Sequence, residues 1–170
     1  MRRRFSGVWL PIITPFVDGE VDYAGYERLV DHYVGRGVSG IIPLGTTGES
    51  PTIDQTEAER LIERTVAAVD GRVPILVGVS GNDTRKVVKA VERLERDPID
   101  GLLVTCPYYN RPSQDGLYQH FRHVAEATRR PILVYNIPYR TGVNLANDTL
   151  LALAELPNVA GVKDSSGDVA

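Results

Sequence analysis

Residues 101–135 read GLLVTCPYYNRPSQDGLYQHFRHVAEATRRPILVY. Two apolar runs of strand length, Gly101–Thr105 and residues 132–135, flank a longer segment of helical periodicity, residues 114–128. Pro131 marks the return from helix to strand. The same unit recurs in both directions. Strand-length runs stand at residues 8–13, 40–44, 75–79 and 159–162. Between them, residues 23–36 place Tyr26, Leu29, Val30, Tyr33 and Val34 on one stripe, and residues 55–69 carry Leu61, Ile62, Thr65, Val66 and Val69. Residues 83–94 open on the cap signal Asn82-Asp83-Thr84, and residues 147–156 end before Pro157.

Six strands alternating strictly with five helices imply parallel strands joined by right-handed crossovers. An open doubly wound sheet and part of an eight-stranded (β/α)8 barrel both satisfy that pattern. The barrel is favoured because the polar residues of interest follow strands two, four and five or sit within strand six, the face where barrel enzymes place their chemistry. An open sheet would gather them at one switch point. A complete barrel needs ~250 residues. The 170 residues are therefore expected to form one domain, the N-terminal portion of a TIM barrel cut after strand six. No linker, repeat or low-complexity stretch marks a second domain.

Composition is that of an ordinary globular chain, 42% hydrophobic and 24% charged, with a net charge of −3. It suggests neither a nucleic-acid surface nor an acidic tail. Cys106 is the single cysteine, which excludes an internal disulfide framework and fits a reducing compartment. The opening Arg2-Arg3-Arg4-Phe5 resembles a twin-arginine signal, but the apolar stretch after it is short, broken by Pro11, and lacks a small-residue cleavage site. With no run long enough to span a bilayer, the expected location is cytoplasmic.

Lys163 is the most informative residue for chemistry. It lies in the apolar run Val159-Ala160-Gly161-Val162-Lys163 rather than on a charged helix face. Free lysine titrates near ~10.4, so an ordinary amine is almost wholly protonated at pH 7. Partial burial favours the neutral amine, which can form an imine with a ketone. The alternative is a lysine snorkelling from a strand end. Asp164 points to the other strand face and is not expected to pair with Lys163.

Gly45-Thr46-Thr47-Gly48-Glu49 follows strand two. Its glycines allow a sharp turn, and two hydroxyls with freed N–H groups suit a small carboxylate; an ordinary capped turn is the alternative. Tyr108 and Tyr109 follow strand four between Pro107 and Pro112, as proton-relaying phenols or as packing over a barrel mouth. Tyr135 ends strand five, and Arg140 in the loop after it offers a fork for a carboxylate or is a solvated charge. His120 and His123 have metal-pair spacing but no further ligands, so a solvated helix face and no metal are expected. Cys106 is expected to be a buried structural thiol. Residues 78–82 miss a serine-hydrolase elbow because position 82 is Asn.

From Ile12-Ile13-Thr14-Pro15 to Lys163 the chain resembles the dihydrodipicolinate synthase / N-acetylneuraminate lyase family of class I aldolase-like barrels. The specific matches are Tyr108-Tyr109-Asn110-Arg111-Pro112-Ser113-Gln114, Gly116-Leu117-Tyr118-Gln119-His120-Phe121 and Ile137-Pro138-Tyr139-Arg140-Thr141-Gly142. The resemblance implies that Lys163 forms a Schiff base with pyruvate and that Tyr135 shuttles protons. It implies that Thr46 and Thr47 contact pyruvate within a hydroxyl relay, with Gly48 beside them, and that Tyr109 reaches a neighbouring subunit's site. Arg140 would hold the carboxylate of aspartate semialdehyde. The implied reaction condenses pyruvate with L-aspartate-4-semialdehyde to 4-hydroxy-tetrahydrodipicolinate, in lysine and diaminopimelate biosynthesis. It needs no cofactor or metal, and the implied assembly is a homotetramer built as a dimer of dimers.

Asp164-Ser165-Ser166-Gly167 departs from the Glu-Ala-Ser/Thr often found in the synthases and looks more like sugar-acid aldolases and other relatives, and Tyr139 replaces a serine common before the arginine. A pyruvate-dependent sugar-acid or other 2-oxo-acid aldolase is the alternative within the same chemistry. A non-catalytic barrel fragment that only associates is the alternative outside it. Lys86 falls where lysine-sensitive members carry glutamate, so feedback by lysine is expected to be weak or absent.

Overall fold

The computed structural model describes residues 5–168, so the Arg2-Arg3-Arg4 stretch lies outside the described residues. The chain divides into two compact units: Met1–Gly78 with Asp97–Asp100, and Val79–Arg96 with Gly101–Ala170.

In the first unit β1 (Trp9–Pro11) pairs in parallel with β4 (Gly40–Ile42), Trp9 opposite Gly40 and Pro11 opposite Ile42. Ile41 also bridges in parallel to Ile75, immediately before β5 (Leu76–Val79). Helices α1 (Tyr23–Gly35) and α2 (Gln55–Val69) pack on each other. Their apolar stripes supply the buried Tyr26, Val30, Leu61, Ile62 and Val69. Tyr26 cannot be buried with its hydroxyl unpaired, and that oxygen lies 2.8 Å from Thr65 Oγ1. Asp22 caps α1 by accepting from Gly25 N–H at 2.8 Å. Asp54 and Glu57 close a reciprocal capping box at the start of α2, a device worth about 1 kcal/mol.

The second unit is built on three parallel strands in the order β6 (Gly101–Thr105), β7 (Ile132–Asn136) and β8 (Val159–Asp164). All five residues of β6 and four of the five in β7 are buried, as expected of parallel strands covered on both faces. Helices α3 (Thr84–Leu94) and α4 (Gln114–Glu126) pack together, and α6 (Asn147–Ala154) packs on α4. Val87, Val91, Leu117, Phe121 and Val124 are buried on α3 and α4. Ser113 caps α4 by accepting from Gly116 N–H at 3.2 Å.

The six expected strands and five expected helices are all present, and the structure adds four short elements. Phe16–Val17 (β2) and Glu20–Val21 (β3) form an antiparallel hairpin across Asp18 (φ 53°) and Gly19 (φ 87°). Asp-Gly is the favoured pair for a turn that needs both central residues at positive φ. A 3-10 turn occupies Ser50–Thr52, and a four-residue helix, α5 (Pro138–Thr141), follows β7. The second expected strand stops at Ile42 rather than residue 44, because Leu44 takes φ 56° and leaves the extended region.

Candidate active site

The last strand places Lys163 opposite Tyr135 in the parallel ladder between β7 and β8. Side chains of a cross-strand pair share a sheet face. Lys163 Nζ accordingly lies 4.1 Å from the centroid of the Tyr135 ring. Tyr135 is 5% exposed and Lys163 half-buried. The amine therefore rests on an apolar, polarisable ring rather than fully in water. The amine nitrogen thus faces the ring of a buried phenol.

One rung further on, Asn136 stands opposite Asp164. Asn136 is 2% exposed, yet each of its side-chain polar groups is used. Its Nδ2 donates to Asp164 Oδ1 and to Asn144 Oδ1, both at 2.8 Å, and its Oδ1 accepts from Leu145 N–H at 3.2 Å. Asp164 Oδ2 accepts from the Ser166 hydroxyl at 2.5 Å and the Ser166 N–H at 3.1 Å. These bonds, the Ser166 hydroxyl foremost and then Asn136, hold the Asp164 carboxyl below its ordinary range. Asp164 is thus engaged away from Lys163, while Asn136 emerges as a residue that sequence pattern had not marked.

Tyr109, in the loop after β6, has φ 71° and is 86% exposed. Its neighbours fix that loop: Asn110 Nδ2 donates to Asn82 O at 3.0 Å, and Arg111 Nε to Gly142 O at 3.1 Å. The Arg111 bond ties the Tyr109 loop to the end of α5, which carries Arg140. Arg140 is exposed, with its guanidinium carbon 5.5 Å from the Tyr139 ring centroid. Tyr139, in place of the serine of the family pattern, therefore supplies a face for the arginine.

Thr46, Thr47 and Gly48 belong to the first unit, in the turn after β4. Gly48 N–H donates to Gly45 O at 3.1 Å and Glu49 N–H to Thr46 O at 3.2 Å. Thr46 is half-buried and Thr47 exposed. The turn does not work as the glycines suggested. The left-handed residues are Leu44 (φ 56°) and Glu49 (φ 54°), which flank the motif, and neither Gly45 nor Gly48 has positive φ. Gly48 is required for close approach instead: a Cβ there would sit 3.0 Å from Ile12 O. Its own carbonyl accepts from Thr14 Oγ1 at 2.8 Å.

Cys106 is buried, and that burial pushes its thiol up to about 12, consistent with an inert structural role. His123 is exposed, but His120 departs from the solvated face expected of it. It is 2% exposed, with Nδ1 2.9 Å from Thr84 Oγ1 and no partner at Nε2. Burial, with a smaller contribution from His123, pulls it down to about 4. Both histidines line a groove of about 1010 Å³ with Thr84, Lys86, Lys89 and Gln119, and neither Lys163 nor Tyr135 borders it.

The profile described as "Dihydrodipicolinate synthetase family" matches residues 4–170. The chain is 50% identical over 165 residues to 4-hydroxy-tetrahydrodipicolinate synthase 2 of Clostridium acetobutylicum, covering 97% of this chain and 58% of the relative. It is 47% identical to the Thermotoga maritima 4-hydroxy-tetrahydrodipicolinate synthase, covering 97% of this chain and 56% of the relative. A crystal structure of the chloride-inhibited dihydrodipicolinate synthase of Acinetobacter baumannii, complexed with pyruvate, is similar at TM-score 0.95 and 40% identity. That match covers 98% of this chain and 57% of the solved one. The Thermotoga maritima crystal structure is similar at TM-score 0.94 and 47% identity, covering 96% and 56%. The chain thus spans a little over half the length of these relatives, and its fold is a partial (β/α)8 barrel rather than an open doubly wound sheet. By a profile match over nearly every residue and identities near one half, the chain belongs to the dihydrodipicolinate synthetase family.

Proposed function

We propose that this chain carries the Schiff-base lysine of a lyase that condenses pyruvate with L-aspartate-4-semialdehyde to 4-hydroxy-tetrahydrodipicolinate. The observation that carries the proposal is the placement of Lys163 Nζ 4.1 Å over the buried Tyr135 ring at the C-terminal ends of adjacent parallel strands. In the neutral form Lys163 attacks the pyruvate ketone, and water leaves as the imine forms, with Tyr135 moving the protons. The protonated imine is an electron sink, so a methyl proton leaves and an enamine results. The enamine carbon attacks the aldehyde of the second substrate. That substrate's amine then cyclises, displacing Lys163 and regenerating the free lysine. The covalent activation comes from Lys163 itself, so no organic cofactor or metal is required.

The further assignments rest on family membership. Thr46 and Thr47, with Gly48, serve the pyruvate carboxylate and the hydroxyl relay. Tyr109, displayed on a loop whose next two residues are tied down, serves a neighbouring subunit, and Arg140 serves the carboxylate of the semialdehyde. The same membership supports a homo-oligomer, a dimer of dimers, located in the cytoplasm, with residues 1–170 belonging to one (β/α) barrel domain. Among the described residues no helix is long and apolar enough to cross a membrane. Lys86, exposed on α3, supports weak or absent feedback by lysine.

Turnover of pyruvate with aspartate semialdehyde, set against turnover with sugar-acid aldehydes, tests the choice of substrate. Ring formation with the semialdehyde alone is expected. Preference for a sugar-acid aldehyde would move the chain to the aldolase alternative, and a folded chain that never captures pyruvate would leave the non-catalytic fragment.

A further inference from the structure

The ladder that sets Lys163 against Tyr135 is interrupted. Ile132 pairs with Val159, but Leu133 pairs with Gly161, so Ala160 is left as a one-residue bulge. The consequence is specific to the site. In an unbroken ladder Val162 would stand opposite Tyr135, and Lys163 would stand opposite Asn136 on the other face of the sheet.

Little in β8 itself selects the bulged register. It is the last strand of its sheet among the described residues, and Ala160, Gly161 and Val162 are exposed. Weakly covered, glycine-containing strands are prone to slip. The rung after Lys163 supplies what the strand lacks. Asn136 is buried and held by Asn144 and Leu145, so its remaining Nδ2 hydrogen points from a fixed position to Asp164 Oδ1 at 2.8 Å. Asn136 O also accepts from Ser165 N–H at 2.8 Å, closing the same end of the ladder. In the slipped register Asp164 would lie one residue past Asn136, and the buried amide would lose its charged acceptor.

We propose that the Asn136–Asp164 hydrogen bond is a register latch, and that both are positioning residues holding Lys163 over Tyr135. The importance of the latch for catalysis rests on the imine-forming function proposed above; its effect on the position of Lys163 does not.

The test uses the chain labelled with ¹³C-lysine. It contains three lysines, Lys86, Lys89 and Lys163, so the ε-methylene signals are few and assignable. The Tyr135 ring current should shift the Lys163 ε-methylene protons upfield. Asp164→Asn keeps an acceptor for Asn136 but loses the Oδ2 acceptor used by Ser166, and should retain most of that shift. Asp164→Ala, and Asp164→Ser whose side chain is too short to reach Asn136, should lose it while circular dichroism still reports a folded chain. Asp164 is exposed, so both truncations are expected to fold. An unshifted Lys163 signal in the unaltered chain, a shift that survives truncation, or a shift lost equally in Asp164→Asn would each overturn the latch. Pyruvate trapping on the same samples separates the two claims. A shifted lysine that captures no pyruvate leaves the latch standing and removes the catalytic proposal.

Discussion

Lys163 and Tyr135 meet as a cross-strand pair, with the amine nitrogen 4.1 Å from the centroid of the phenol ring. Under the proposed function, Lys163 is the nucleophile and Tyr135 the proton-transfer group, side by side on one sheet face. Tyr135 would then contribute in two ways, through the ring that faces the lysine amine and through the hydroxyl as proton carrier.

Tyr135→Phe removes the hydroxyl and keeps the ring. The fold and the position of Lys163 should persist. The rate of imine formation with pyruvate, followed by rapid-quench reduction, is expected to fall by about 10²–10⁴-fold, the usual worth of a positioned acid–base group. An unchanged rate would remove Tyr135 from the proton relay.

The loop that carries Thr46 and Thr47 depends on backbone packing behind it. A Cβ at Gly78 would lie 2.3 Å from the Leu44 carbonyl oxygen, and Gly78 N–H donates to Pro43 O at 2.9 Å. Leu44 is already at φ 56°, so its backbone has little room to give. Gly78→Ala is expected to destabilise the chain by about 1–3 kcal/mol or more in urea unfolding. A loss below roughly 0.5 kcal/mol would contradict this packing.

Much of the fold was legible because buried parallel strands spell themselves as unbroken apolar runs, as in Leu102-Leu103-Val104 and Ile132-Leu133-Val134. The hairpin at Asp18-Gly19 carried a turn signal, but strands of two residues are too short to show alternation. Lys163 and Tyr135 could be picked out as polar groups ending apolar runs. Their adjacency could not, since it depends on the bulge at Ala160, which no local pattern announces. Asn136 stayed hidden for a related reason: its partners, Asn144, Leu145 and Asp164, converge only in the folded chain. His120 was misplaced because its spacing from His123 suggested one solvated face, whereas His120 is buried beside Thr84 of α3 and only His123 is exposed.

His120 makes stability depend on acid. Its folded-state value is pulled down to about 4, below the ~6.5 of an unfolded histidine. Between those values the unfolded chain binds the extra proton, so stability rises with pH. The contribution is fully present above about pH 6.5 and is lost as pH falls through about 4; at 1.36 kcal/mol per unit it is of the order of 3 kcal/mol. Urea midpoints measured from pH 7 to pH 4 should fall more steeply for the unaltered chain than for His120→Gln. Parallel profiles would assign the acid sensitivity to other groups.

The most direct measurement is borohydride reduction of the folded chain with pyruvate, followed by intact mass and peptide mapping. Lys86 and Lys89, both exposed on α3, are internal controls for indiscriminate amine chemistry. One reduced pyruvyl group on Lys163, absent from Lys163→Ala, is the predicted result. A folded chain that takes up no pyruvyl group, or one labelled equally after Lys163 is removed, would contradict the account.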